Sequence, residues 1–351
     1  MNNYKQVTPQ GKTIYLGIDM HHSKWHVTAI AENEIIFSGG MPADAPTLFK
    51  FLKRYSGHHI EAVYEAGYFG FNLYELLTAA GIHCSVTPPT LVPMEYGNHV
   101  KTDRRDSIKL AYLLSKGMLK KVWVPPPEQL AHRQALRRRR QLISDRVRVQ
   151  QRIKSELSFL GVTVDRSRGP WSAVFVRRLQ ELRFEDPYQQ QSFQFLLEEY
   201  HFLCRLIAEQ TKSIKSLATN HYEEKLKLLR TIPGIGVIGA MTLILELGDI
   251  SRFRKGDLLA AYVGLTPSQY SSADRIRMGR ITKCGNRLLR AALIEAAWVS
   301  IRKDHELRET YENLKARRGA KRAIVAVARK LLLRARRVLL DKQPYELNKA
   351  A

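Results

Sequence analysis

Residues 13–39, TIYLGIDMHHSKWHVTAIAENEIIFSG, decide how the first part of the chain folds. Three short β-prone runs are separated by polar residues and an Asn/Glu turn, a pattern that predicts an antiparallel meander. Moving outward, APTLFKFLKRYS at 45–56 places Leu48, Phe51 and Leu52 at helical intervals. IEAVYEAG follows as a strand, FNLYELLTAAG as a helix closed by Gly81, and IHCSVTP as a strand that Pro88 ends. DRRDSIKLAYLLSKG predicts a further helix, and VWVPPPEQ at 122–129 a stiff proline-rich exit. The expected order is three strands, helix, strand, helix, strand, helix.

Beyond this exit the periodicity turns helical. Between Leu130 and about Tyr222, apolar positions such as Leu136, Ile143, Val147 and Ile153 recur at helical spacing, so one face can pack. The same stretch crowds Arg137, Arg138, Arg139, Arg140, Arg146, Arg148, Arg152 and Lys154 together, which predicts a helical arm or hairpin in contact with nucleic acid. A solvated helix face is the alternative. From Leu226 onward, a Pro-Gly-Ile-Gly turn containing Gly234 and Gly236 lies between helical segments. It resembles a helix-hairpin-helix element, whose backbone N–H groups face a phosphate. The chain ends in KRAIVAVARKLLLRARRVLL, a basic amphipathic helix.

Charge narrows the class of partner. Across 351 residues, 57 Lys and Arg face 33 Asp and Glu, for a formal net charge of +24. Such a field attracts polyanions. No apolar run approaches the roughly 20 residues needed to span a bilayer, so nucleic acid is the expected partner rather than membrane. Cys84, Cys204 and Cys284 are isolated, which excludes a disulfide framework and a zinc finger. The N-terminus has no secretion pattern, and the expected location is the cytoplasm, with the nucleoid.

Four acids sit where nuclease chemistry needs them. Asp19 lies on or just beyond the first strand, Glu65 ends a later one, and Asp103 and Asp106 share one face of a helix start. Singly, each also fits a cap. Together, converging carboxylates call for divalent cations, and Mg²⁺ suits oxygen ligands and phosphate chemistry. Strand order and acid placement both match ribonuclease-H-like nucleases. His21, His22 and His26 read as surface residues outside the metal set.

YLGIDMHHSKW, YEAGYFG and KTDRRDSIKLA, followed by IPGIG, RFRKGDLLAAYVGLTPSQYSS and GRITKCGNRLLRAAL, resemble the DEDD-type insertion-sequence transposases. These are relatives of the Piv-type DNA invertases, with better-known members guided by a bridge RNA. The resemblance covers nearly the whole chain. It implies a RuvC-like domain over 1–128, a coiled-coil-like arm over 129–225 and a mainly α C-terminal transposase domain over 226–351. It also implies that Asp19, Glu65, Asp103 and Asp106 bind Mg²⁺, and that Ser272 in GLTPSQYSSAD attacks DNA phosphate, with the acids of a partner subunit completing the centre. Donor and target DNA, a non-coding guide RNA and a dimeric or tetrameric homo-oligomer follow as partners. Ala273 stands where the family pattern has Gly, which keeps Ser271 as a rival. Arg275, Arg277, Arg280, Lys283, Arg287 and Arg290 follow the serine closely and suit phosphate binding. A structure-selective nuclease using only carboxylates and water is the alternative enzyme, and a non-catalytic nucleic-acid scaffold the alternative class.

Overall fold

The computed structural model describes residues 11–93, 102–165, 169–272 and 275–347. The chain divides between Pro125 and Pro126 into two compact units.

In the first unit, β1 (Thr13–Met20), β2 (Lys24–Ala31) and β3 (Glu34–Pro42) form the expected meander. Then come α1 (Ala45–Leu52), β4 (His59–Glu65), α2 (Asn72–Ala79), β5 (His83–Thr87) and α3 (Asp103–Ser115). The sheet order is β3-β2-β1-β4-β5, with β4 parallel to both β1 and β5. Glu32 and Asn33, the two residues between β2 and β3, both take positive φ, 51° and 70°. That conformation matches the right-handed strand twist and makes a tight hairpin.

Strand alternation separates two layers. Ile14, Leu16 and Ile18 of β1 are fully buried in a core with Leu48, Phe51, Leu73 and Leu77 from α1 and α2. Each such side chain contributes about 1.5–3 kcal/mol on burial. Tyr15, on the other face, packs with Val63, Leu110 and Leu114, where α3 covers the sheet. Gly17 lies on that second face. A Cβ there would sit 2.2 Å from the Ser107 carbonyl oxygen and 2.5 Å from the Ala111 nitrogen, so α3 and β1 touch backbone to backbone.

In the second unit, α4 (Pro127–Phe159) and α5 (Ala173–Glu181) precede the 44-residue α6 (Pro187–Arg230), which kinks at Tyr222. Two cores run along this pair. Leu142, Val149, Ile153 and Leu157 of α4 pack with Phe175 and Leu179 of α5 and with Phe193, Leu197, Tyr200 and Leu203 of α6. Leu136, Ile214, Leu226 and Leu229 belong instead to the larger core built with the helices that follow. The expected limit at 225/226 lies three residues past Tyr222, whose non-helical backbone (φ −135°, ψ 21°) makes the kink in α6. Val147, expected on the packed face of α4, is 42% exposed, since the buried seam runs through Leu142, Val149, Ile153 and Leu157.

Next come α7 (Val237–Leu247), α8 (Gly256–Val263), a hairpin of β6 (Pro267–Ser272) and β7 (Arg275–Ile281), α9 (Arg287–Ser300), α10 (His305–Arg318) and α11 (Ala320–Asp341). In the hairpin, Ser272 pairs with Arg275 across the Ala273–Asp274 dipeptide, and Tyr270 with Arg277. Ala273 and Asp274 themselves lie outside the described residues. One face of α11, with Ile324, Val327, Leu331 and Leu332, is buried, so this basic helix is a core element. Among the described residues no helix is long and apolar enough to cross a membrane.

Candidate functional site

The acids gather at the C-terminal edge of the first unit's parallel strands. Asp19 is the penultimate residue of β1 and Glu65 the last of β4. The parallel register pairs Ile18 with Tyr64, so one step further Asp19 and Glu65 lie side by side. Asp19 shares the α3-covered face with Tyr15 and Gly17, and Glu65 shares it with Val63. Asp103 and Asp106 occupy the first turn of α3, with Thr102 as N-cap accepting from the Arg105 N–H. Acids there also complement the helix dipole.

A buried polar cluster fixes the start of α3 on the sheet. Ser107 Oγ donates to the Arg104 carbonyl and lies 2.8 Å from both Thr28 Oγ1 and His26 Nδ1. Thr28 is in turn 3.0 Å from Ser38 Oγ on β3. His26, expected on the surface, is thus a half-buried anchor, because its position on β2 faces the incoming helix. Burial lowers its pKa.

His21, set aside in the sequence reading, joins the acids. Its Nε2 is 3.3 Å from Asp19 Oδ2 and 3.4 Å from Asp103 Oδ1. The Asp-x-His spacing across the end of β1 was the signal available for it. Burial pushes the Asp19 carboxyl above its ordinary value; His21 opposes this, while the charges of Asp106 and Asp103 add to it. A half-buried carboxylate with like charges nearby is relieved by a bound cation. Ligand atoms of Asp19, His21 and Asp103 lie within 4.8 Å of one another, and the carboxylate oxygens among them suit a hard divalent ion.

In the second unit, Ser272 closes β6 opposite Arg275 of β7. Arg277, Arg280, Lys283 and Arg287 are exposed along β7 and on to the start of α9. The arm's arginines divide. Arg137, expected to reach nucleic acid, donates from Nε and Nη2 to the two carboxylate oxygens of Glu246, both at 2.8 Å, and so ties α4 to α7 while its side chain stays half exposed. Glu246 is 1% exposed and also accepts from Asn286. Burial raises its pKa, but the Arg137 hydrogen bonds and charge, with Asn286 and Arg133, outweigh that and leave it lowered. Arg139 donates to Thr211 on α6, and Arg146 is half-buried. Arg138 and Arg140 are exposed.

The two turn glycines also differ. Gly234, at φ +90°, presses on α9, where a Cβ would meet the Ala296 carbonyl oxygen at 2.3 Å. Gly236 is exposed and caps the start of α7.

Both regions fall within matches to known proteins. Residues 16–161 match a family model of IS110-type DEDD transposases, and residues 226–312 match one described as "Transposase IS116/IS110/IS902 family". A Sinorhizobium fredii protein named as a transposase is 32% identical over 81% of this chain and 71% of its own length. The transposase of insertion sequence element IS1533 from Leptospira borgpetersenii is 28% identical over 95% of this chain and 97% of its own. That of IS1111A from Coxiella burnetii is 28% identical over 73% and 71%. With its acid-bearing sheet and its serine hairpin each inside one of the matched stretches, the chain belongs to the IS116/IS110/IS902 transposases, enzymes that cut and rejoin insertion-sequence DNA.

Proposed function

We propose that this transposase works as a Mg²⁺-dependent serine recombinase, with Asp19, Glu65, Asp103 and Asp106 as the metal-binding tetrad and Ser272 as the nucleophile. The observation that carries the reading is the meeting of acids at one edge: Asp19 and Glu65 end neighbouring parallel strands, and His21 Nε2 lies 3.3 Å from Asp19 Oδ2 and 3.4 Å from Asp103 Oδ1. Bound Mg²⁺ would supply Lewis-acid polarisation of a phosphate oxygen. The chain's own part is placement. Asp19 and Glu65 sit on paired strands, Asp103 and Asp106 on a helix whose Ser107 bonds Thr28 and His26 of neighbouring β2, and His21 steadies Asp19 and Asp103.

In the serine step, Ser272 Oγ forms a bond to phosphorus and one phosphate–strand oxygen bond breaks. The serine proton leaves to a base, and the departing strand oxygen takes up a proton. The phosphodiester is thereby conserved as a protein–DNA linkage, which a hydroxyl of a second strand can reverse. Arg275, Arg277, Arg280, Lys283 and Arg287 balance charge on the phosphates, while Arg138, Arg140 and the Gly234–Gly236 turn hold backbone further along. Following the resemblance, the serine of one subunit works with the acids of another in a homo-oligomer. A bridge RNA supplies sequence choice, and the arm's basic face suits it as well as DNA.

Trapping wild type, Ser272→Ala and Ser271→Ala on insertion-sequence ends tests the nucleophile. A covalent adduct on a denaturing gel that is lost only in Ser272→Ala supports the reading. An adduct lost only in Ser271→Ala reassigns the serine. Mg²⁺-dependent cutting without an adduct in wild type favours the carboxylate-only nuclease. Sequencing the RNA that copurifies decides guidance, since a discrete non-coding species is expected.

A further inference from the structure

The loop after β4, AGYFG at 66–70, is tightly held but presents its rings to solvent. The Ala66 N–H donates to the Thr87 carbonyl at 2.7 Å, and the Gly70 N–H to the Gly67 carbonyl at 3.3 Å. Tyr64, 1% exposed, donates its hydroxyl to the Gly70 carbonyl at 3.1 Å. A loop pinned at both ends and from below has little freedom to fold its side chains away. Yet Tyr68 is 71% exposed. The Tyr68 and Phe69 ring centroids are 4.3 Å apart with planes 30° from parallel. The ring of His22 lies 4.8 Å from that of Tyr68 and 5.3 Å from that of Phe69.

Position gives this cluster a meaning. His22 follows Asp19 by three residues and Tyr68 follows Glu65 by three, so the rings stand on the two loops that leave the acid-bearing strand ends. Aromatic rings already stacked on one another lose little conformational freedom when another flat ring joins them. The polymer that this enzyme cuts carries such rings beside every phosphate. A base inside a duplex has both faces covered by its neighbours, whereas rejoining strands to new partners unpairs bases at the cut.

We propose that Tyr68, with Phe69 and His22 behind it, is a stacking surface for an unpaired nucleobase of the DNA strand next to the phosphate held at the acids. This rests on the reading of the acid edge as the phosphate site. Stacking of this kind tolerates any base, because each has a π face. The surface therefore fixes the strand's position at the cut without adding sequence preference. Tyr68 is a positioning residue, since it touches substrate away from the reacting atoms.

The test uses the full chain and a single-stranded DNA oligonucleotide of the element's end, with 2-aminopurine beside the cleaved phosphate, and Ca²⁺ in place of Mg²⁺ so that the acids are neutralised while cutting is suppressed. Wild type should quench the fluorophore, Tyr68→Ala should restore its emission, and Tyr68→Trp should quench again. Affinity for the oligonucleotide should fall about 5- to 100-fold in Tyr68→Ala, the range of one lost base stack. An abasic site at the same position should remove that difference. If Tyr68→Ala binds as tightly as wild type, or loses equally on the abasic strand, the proposal is overturned. It is also overturned if only an RNA strand of the same sequence shows the dependence, which would make the occupant a guide. Cleavage by Asp19→Asn in Mg²⁺, measured separately, reports on the acid edge alone. A Tyr68 effect confined to the intact base with cleavage surviving in Asp19→Asn leaves the stack standing and removes the phosphate site from beside it.

Discussion

The acid edge of the first unit and the basic hairpin of the second are built in opposite ways. Asp19, Glu65, Asp103 and Asp106 come from three separated segments, and they converge only because β1 pairs with β4 and α3 crosses both. Arg275, Arg277, Arg280, Lys283 and Arg287 come from a single run, spaced along one strand and into the next helix. Convergence gives a site whose parts fail together, while a linear display of charge fails by degrees. Arg137 and Arg138 are both exposed, but the Arg137 guanidinium is paired with the buried Glu246 carboxylate.

The largest effect should follow loss of a converged acid. Asp19→Asn keeps the shape of the side chain and removes its charge, and strand transfer should fall by about a thousandfold or more, as when a group acting on the transition state is removed. Folding, read by melting temperature, should be kept or slightly improved, because the raised pKa shows that the ionised form is disfavoured where it stands. Transfer within tenfold of wild type would mean that the acids do not act as a unit.

Gly17→Ala sharpens the comparison from the fold side. The new methyl meets backbone on α3 rather than a movable side chain, so α3 must shift and carry Asp103 and Asp106 away from Asp19. We expect a cost of about 1–3 kcal/mol in stability and about a hundredfold loss in rate from a displacement near 1 Å. Gly239→Ala, inside α7, where a Cβ meets only the end of the Ile235 side chain at 3.8 Å, is the matched control and should leave both nearly unchanged.

Glu246→Ala should destabilise the second unit by about 2–3 kcal/mol, below the range for a fully buried pair because Arg137 is half exposed. The pH dependence has a definite sign. The folded pKa of Glu246 lies below its ordinary 4.5, so its contribution is complete above that value and is lost as pH falls through the folded one. Urea unfolding monitored on this unit should weaken below about pH 4.5 in wild type, with less pH dependence in Glu246→Gln. Equal slopes would remove the Arg137–Glu246 tie from the stability of the fold.

The smallest effect belongs to the hairpin. Arg277→Gln should weaken DNA binding only a few-fold and reduce the slope of log affinity against log salt by about 0.9, the value for one phosphate on duplex DNA. A loss as large as that in Asp19→Asn would show that the hairpin, too, acts as a converged site.

Much of this was legible in the sequence because it depends on periods that the chain itself carries. Alternation in residues 13–39 defines the meander, the Glu-Asn pair its tight turn, and apolar runs ending in Asp19 and Glu65 the strand ends that bear acids. Crowded arginines and the +24 charge define a polyanion partner. Other features depend on which segments meet, which no local period records. Gly17 reads in sequence as a weak point in a strand, and only the crossing of α3 makes it the place where the acid-bearing helix is seated. His21 reads as one of three surface histidines until Asp103 arrives from more than eighty residues away. Arg137 and Arg138 are alike in sequence and both exposed, and a buried carboxylate on α7 tells them apart, since Glu246, desolvated in the core, needs a paired cation and takes the guanidinium within its reach.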